Sequence, residues 1–450
     1  MSEAPAPPEA RSRFRAFLVL WGSQTLSLFG TMVSQFAVNV WLVRDLYPLQ
    51  TQKPQLALAL TATAIASSGP LIFVMPLAGA FADRHDRQRI LVGSNTVLAL
   101  LTAALVALTL AHRLSLPLAV LLLVLYSFAS SFHSAAFDSS YGRFVSAADL
   151  PRAGGMMMTS FALAQMFAPP LAATLVGLPV LLGGASRLPA WLANGVPFAF
   201  AADGVTFVVA AVAAGVLRFP PHPPQPAGVR GSLVDDVRAG FRWILTRPPF
   251  LWLIGFGSLA NFTFAPLIVL LPLLARDRVA ADAALHHMRF EAVLALANTA
   301  GGLGGVLGGV LVSVLGIRAR RKSMMMAVCL IVLGFGEVIA GLATSVWMLA
   351  LGMFVGEFLV APLNTASFTL WQSLTPPHML ARALSTRRFI AQSAFPLGTA
   401  VAGWIAVAVE PWIVVLLSGA VLALFSLVQV ASPGFRVLED RMREAAARPD

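Results

Sequence analysis

The stretch Gly79-Ala80-Phe81-Ala82-Asp83-Arg84-His85-Asp86-Arg87-Gln88-Arg89 sets a small-residue helix end against a dense cluster of charge, with a long apolar run on either side. A soluble fold has little use for that juxtaposition. A membrane protein does: a short charged loop stays in water while the helices it joins stay in hydrocarbon, and it can lock and release them. Composition agrees. Of 450 residues, 58% are hydrophobic and 11% charged, and the mean hydropathy is +0.80. A soluble domain carries about 25% charged residues. Thirty-five glycines and thirty prolines also suit spanning helices, which tolerate both. The chain reads as an all-α, polytopic membrane protein.

Apolar windows long enough to span a bilayer fall near 17–43, 56–82, 90–111, 116–137, 155–182 and 194–217, then near 250–275, 291–317, 324–344, 346–370, 387–408 and 411–430. These twelve spans form two groups of six. The expected organisation is a tail over 1–16, a six-helix bundle over 17–217, a linker over 218–247, a second bundle over 248–431 and a tail over 432–450. No helix continues through the linker's Phe219-Pro-Pro-His-Pro-Pro-Gln-Pro226, because proline lacks the donor and clashes with the preceding turn. Ser232-Leu-Val-Asp235 then resembles a capping box. Leu233, Val237, Phe241 and Ile244 recur at helical spacing beside Asp235, Asp236, Arg238 and Arg242, which predicts an amphipathic helix on the membrane surface.

With both termini cytoplasmic, the tails, the linker and the inner loops hold 24 of the 31 Lys and Arg residues, against seven in the outer loops. The positive-inside rule therefore places both termini in the cytoplasm. The same distribution accounts for the net charge of +11 as a topology signal, so no nucleic-acid partner is expected. The apolar run after the polar, Pro-rich residues 1–16 is too long for a signal-peptide core and is expected to be retained as a helix. Cys329 is the single cysteine, which rules out an intrachain disulfide. His286 and His287 stand in an outer loop without other ligands, and no metal or cofactor is expected. The chain has no nucleotide-binding Gly-x-x-x-x-Gly-Lys-Ser/Thr loop, against an ATP-driven pump, and no intramembrane nucleophile–base pair, against an enzyme.

Weak internal repetition joins the halves. Gln165-Met-Phe-Ala-Pro169 in span 5 returns as Gln392-Ser-Ala-Phe-Pro396 in span 11, and the 2–3 turn has a degraded copy in Gly309-Val-Leu-Val-Ser313, Arg318 and Arg321. Two equivalent halves are a common plan of secondary transporters.

Gly79-x-x-x-Asp83-Arg84-x-x-Arg87-x-Arg89 resembles motif A of the major facilitator superfamily, and the twelve-span plan resembles that family over essentially the whole chain. Trp21-Gly-Ser-Gln24, Leu28-Phe-Gly30, Ala202-Asp203-Gly-Val-Thr-Phe207, Asp236-Val-Arg-Ala-Gly240-Phe and Leu270-Leu-Pro272 resemble its macrolide-efflux and enterobactin-exporter branch. Asp86 stands where the motif usually has Gly, and Ser313 replaces the acid of the second copy, so any charge lock is expected mainly in the first half. The resemblance implies a gate. Asp83 would sit near a helix terminus across the domain interface, and Arg87 would pair a carboxylate at the end of span 4, where Asp138 stands. The bland alternative is a topology signal alone. Ala168-Pro169-Pro170 resembles the family's antiporter motif, and serves equally as a packing kink. Gly301, Gly305 and Gly309 form one small-residue ridge on span 8, and Gly304 with Gly308 another, as close helix packing requires.

Polar side chains inside a membrane are costly and usually face a cavity. Gln24, Thr31, Gln35 and Asn39 share one face of span 1, and span 4 offers Tyr126, Ser130 and His133 at helical spacing. Span 7 offers Asn261. The resemblance implies that spans 1, 4, 7 and 10 line the cavity. The alternative for each residue is helix–helix hydrogen bonding. Three acids lie well inside spans: Asp203, Glu337 and Glu357. Burial favours the protonated form of a carboxyl group, which suits all three to proton coupling. Glu357, seven residues before Asn364, is the preferred coupling acid. Glu337 and Asp203, on peripheral spans of this fold, are expected to make structural hydrogen bonds, with coupling the alternative. The expectation is a monomeric, proton-coupled exporter of amphipathic small molecules in a bacterial inner membrane, working by alternating access. A siderophore or lipid-like metabolite exporter is the runner-up and an importer the third reading. An acid without Lys or Arg in the cavity favours neutral or cationic substrates over anionic ones.

Overall fold

The computed structural model describes residues 8–146, 149–182, 194–219, 233–316, 321–376, 379–432, 435 and 437–446. Twelve of its helices are long and apolar enough to cross a membrane. Spans 1 to 6 are α1 (Pro8–Trp41), α2 (Lys53–Arg84), α3 (Arg87–Leu110), α4 (Leu116–Phe144), α5 (Leu150–Leu181) and α6 (Val196–Val216). After the linker helix α7 (Leu233–Leu245) come α8 (Pro248–Leu273), the short α9 (Ala280–Leu285), α10 (Phe290–Leu315) and α11 (Lys322–Leu342). Span 10 is two helices, α12 (Val346–Phe358) and α13 (Val360–Leu374); α14 (Leu380–Ala408), α15 (Pro411–Ala431) and a terminal α16 (Leu438–Ala446) complete the chain. The proline cluster after Phe219, the predicted cap at Ser232 and Arg318 of the degraded motif lie outside the described residues.

The chain divides into two units, Met1–Leu46 with Ala66–Gln225, and Tyr47–Ile65 with Pro226–Asp450. The first part of α2, up to Ile65, is thus grouped with the second unit. Within that second unit, Lys53 Nζ lies 3.4 Å from Glu410 and 3.9 Å from Asp277, and Gly403 of α14 leaves no room for a β-carbon beside Thr61.

In the first unit, Phe17 and Leu20 of α1, Ala78 and Ala82 of α2, Leu91 of α3, Ala135 and Ala136 of α4 and Ala214 of α6 form one buried cluster. Its small residues let the helices approach closely, which in lipid is the main source of helix association. Prolines 70 and 76 lie inside α2. Just after the first of them, Leu71 N–H donates to Ser127 Oγ of α4 at 3.1 Å, and that hydroxyl donates to the Ser67 carbonyl at 2.7 Å. A side chain from a neighbouring helix thus bonds the backbone of α2 where proline bends it, which lowers the cost of the bend in hydrocarbon.

The second unit's cluster includes Phe250, Leu253 and Phe256 of α8, Leu330 of α11, Leu370 and Trp371 of α13, and Leu422 of α15. Two sequence expectations change here. The linker helix does not simply lie on the membrane: Trp243 and Ile244 are buried in this cluster, with Trp243 4.7 Å from Phe250 and the Arg247 guanidinium 4.6 Å over the Trp243 ring. Its apolar face finds protein rather than lipid. The described residues after α15 also pack against protein. Phe435, Leu438 and Met442 enter the same cluster, and the buried Glu439 accepts hydrogen bonds from Ser323 N–H at 2.6 Å and Ser323 Oγ at 2.9 Å. That carboxylate serves the open donors of the first turn of α11 and sits at the positive end of its dipole.

Candidate functional site

The charged turn between α2 and α3 is built from side chains that close backbone ends. Asp86 is the N-cap of α3 and accepts from the main-chain N–H groups of Gln88 and Arg89, which gives the residue standing in place of glycine a definite task. Arg87 pairs with Asp83 at 2.9 Å and donates to the Ser139 carbonyl of α4 at 2.6 Å. On α4 it thus reaches a main-chain oxygen inside the last two turns, one residue beyond Asp138. Gln88, which the sequence reading passed over, donates to the carbonyls of Ala214, Gly215 and Leu217 at 3.0, 3.2 and 2.8 Å. It caps the C-terminal end of α6. Arg89 lies 3.7 Å from Asp86, Arg84 is exposed, and Gly79 has open space where a β-carbon would be. The turn ties the ends of α2, α3, α4 and α6 into one block.

Deeper in the first unit, the polar stripe of α1 meets α4 twice. Thr31 Oγ1 and the Tyr126 hydroxyl are 2.9 Å apart, and His133 Nε2 is 2.6 Å from Gln24 Oε1. The carboxamide oxygen only accepts, so this bond requires the proton on Nε2. Thr25 and Ser160 join α1 to α5 at 2.9 Å. Gln35 of the same stripe is exposed, while Asn39 and Ser130 are half-buried. Pro169 is buried and Pro170 exposed within α5. The structure thus brings Gln24 to His133 and Thr31 to Tyr126.

Asp203 of α6 is fully buried. It faces the Tyr126 and Ser34 hydroxyls, yet neither carboxyl oxygen has a hydrogen-bond partner among the described residues. Gly30 makes the arrangement possible. A β-carbon there would stand 2.7 Å from Asp203 Oδ1 and would collide with Thr206 Oγ1.

In the second unit, Glu357 is the penultimate residue of α12, where span 10 breaks at Leu359. Pro362 cannot donate to the Phe358 carbonyl, and that oxygen is turned against Gly308 of α10, where any β-carbon would strike it. Gly304 meets the Phe354 carbonyl in the same way, and a β-carbon on Gly301 would lie 3.4 Å from Glu357 Cγ. The ridge that packs is therefore Gly301, Gly304 and Gly308; Gly305 and Gly309 face open space. Glu357 is half-buried, and among the described residues no hydrogen bond or ion pair reaches its carboxyl group. Asn364 lies beyond the break and is exposed, so seven-residue spacing along one helix does not by itself fix a common face. Asn261 donates to the Gly257 carbonyl of its own helix at 2.8 Å. Glu337 of α11 is fully buried; one oxygen accepts from Ser418 of α15 at 3.2 Å, and the other has no partner.

A twelve-span helical fold in two units, with a charged turn that caps its neighbours and acids set inside spans, is the plan of a multi-pass membrane transporter. The chain belongs to the Major Facilitator Superfamily, whose family model matches residues 20–285, more than half its length. It is 21% identical over 418 residues to macrolide efflux protein A of Streptococcus pyogenes, covering 92% of this chain and 94% of that protein. An uncharacterized MFS-type transporter of Sinorhizobium fredii is 27% identical over 367 residues, covering 78% and 80%. Among solved structures, a bacterial homolog of the human lysosomal transporter Spinster, inward-facing and unoccupied, superposes with a TM-score of 0.62 at 16% identity, covering 98% of both chains.

Proposed function

We propose that the protein is a proton-coupled exporter that moves amphipathic, macrolide-like molecules out of a bacterial cell by alternating access of its two units. In this reading it sits in the inner membrane with both termini in the cytoplasm. The relatives named for macrolide efflux support the direction and the substrate class, and the loop charge supports the orientation.

The observation that carries coupling is Glu357: a carboxyl group inside a span, at a helix break, with no ion pair among the described residues. An ionised carboxylate at this depth is costly, and either a proton or a cationic or hydrogen-bonding substrate relieves the cost. Proton and substrate then compete for one group, which is what exchange requires. The adjoining break gives the group something to act on, since the freed Phe358 carbonyl and the glycine contact of α10 surround it. Gln24, Thr31, Gln35, Asn39, Tyr126, Ser130 and His133, with Asn261 and Asn364, supply the polar lining. The turn from Gly79 to Arg89 acts as the gate, a block whose exposed Arg84 and Asp83–Arg87 pair engage and release.

In proteoliposomes, Glu357→Gln is expected to reduce pH-gradient-driven macrolide accumulation at least tenfold while sparing substrate exchange without a gradient. Accumulation at the wild-type level would remove Glu357 from the coupling role.

A further inference from the structure

We propose that Asp203 is a second proton-binding site, set in the first unit, and that the Tyr126 and Thr31 hydroxyls pass its proton to and from water; this rests on the proton-coupled reading above. Asp203 lies seven residues into α6 and is fully buried. A buried ionised carboxylate persists only when paired or well hydrogen-bonded. Here both oxygens lack a partner among the described residues. Thr206, the hydroxyl one turn on, is engaged instead with the Asp203 main-chain carbonyl at 2.7 Å. The groups that face the carboxyl are Ser34 of α1, whose own hydroxyl is buried and unpaired, and Tyr126 of α4. Tyr126 is the one titratable neighbour; no Lys, Arg, His or second acid from α1, α3 or α4 faces the group among the described residues. Such surroundings favour the neutral, proton-carrying form of the carboxyl group.

The neighbourhood gives that proton a way out. Tyr126 is bonded to Thr31 at 2.9 Å; the Thr31 hydroxyl donates to the Ser27 carbonyl at 3.0 Å, so Tyr126 is the donor here, and rotation of the Thr31 hydroxyl reverses the bond. Thr31 is half-buried, on the polar stripe of α1 proposed to line the cavity. For loading, water gives a proton to the Thr31 oxygen, the Thr31 proton moves to the Tyr126 oxygen, and the Tyr126 proton moves to the Asp203 carboxylate. As many O–H bonds form as break, one proton is moved in net, and rotation of the two hydroxyls resets the chain. Release runs the same steps backwards. Gly30 holds α1 against Asp203, so a shift of α1 relative to α6 opens or closes the relay. Movement of the substrate-facing helix is thereby linked to proton exchange.

Asp203→Asn keeps the size of the side chain and removes its proton. The test measures protons released when erythromycin is added to purified protein in weakly buffered detergent, for wild type, Asp203→Asn and Glu357→Gln. Each variant is expected to release about half as many protons as wild type. Equal release by wild type and Asp203→Asn, with Glu357→Gln reduced, would overturn the second site and leave the coupling reading standing. No release from wild type would overturn both. Should Asp203→Asn not fold, wild type and Tyr126→Phe decide the matter. The infrared carbonyl band of a neutral, unbonded carboxyl group should shift on erythromycin binding, and proton release should be at least tenfold slower in Tyr126→Phe. An unchanged band and unchanged kinetics would contradict the relay.

Discussion

At Leu71, just after Pro70, the Ser127 hydroxyl of α4 joins the backbone of α2, accepting from Leu71 N–H and donating to the Ser67 carbonyl. Removing the hydroxyl removes both bonds, each worth about 1 kcal/mol. Ser127→Ala should therefore lower thermal stability in detergent by several degrees, and Ser127→Thr should restore most of it. An unchanged melting temperature would mean that water or a shifted helix satisfies both groups. The bend was legible in the sequence as Pro70, but its repair was not, because a serine in a span has several neighbouring carbonyls to choose from. The same limit applies to Gln88. Its position beside a charge cluster marked it as polar and exposed, and only the packing of α6 shows that it closes three carbonyls. Acids inside spans were legible individually, since each is expensive there. That Asp203 would lie against Gly30 and face Tyr126 required the fold.

The elements were the most readable level, because hydrocarbon admits little but helices and each needs a long apolar run. Their partners were less so. The heptad-like stripe of α7 predicts an amphipathic helix whether it meets lipid or protein, and Trp243, set edge-to-face against Phe250, decides for protein at its C-terminal end. For α16 the charged composition over 432–450 read as a tail, yet Leu438 and Met442 sit one turn apart and are buried with Glu439 between them. As a cap for α11, Glu439 is expected to contribute about 1–2 kcal/mol. Glu439→Ala should show that loss in thermal unfolding, together with faster hydrogen exchange at Ser323 and Met324. Exchange unchanged at those amides would mean that the cap is dispensable. The break in span 10 was hidden for a related reason: Pro362 announces a bend, but the glycine contacts of α10 that receive the freed carbonyl come from a distant stretch.

Across the whole molecule, the doubling was legible in the count of spans, while its clearest sequence trace lay elsewhere. The first helix of each half ends in a five-residue π turn, Leu42–Leu46 and Leu274–Arg278, carrying Leu42-Val-Arg44-Asp45 and Leu274-Ala-Arg276-Asp277. These copies sit at the opposite end of the helices from motif A and match better than its degraded partner at Ser313. Their acids have diverged in use. Asp45 accepts from Asn194 at 2.7 Å, whereas Asp277 is held by Arg276 at 2.8 and 2.9 Å and lies near Lys53. Equivalent halves with unequal charge chemistry fit a transporter in which each half carries a different part of the cycle. The decisive measurement is erythromycin transport by the wild-type protein, reconstituted with its motif A face outward, under an imposed inside-acid pH gradient. Accumulation that collapses when a protonophore dissipates the gradient is the expected result; erythromycin equilibrating to the same level with and without the gradient would contradict proton-coupled export.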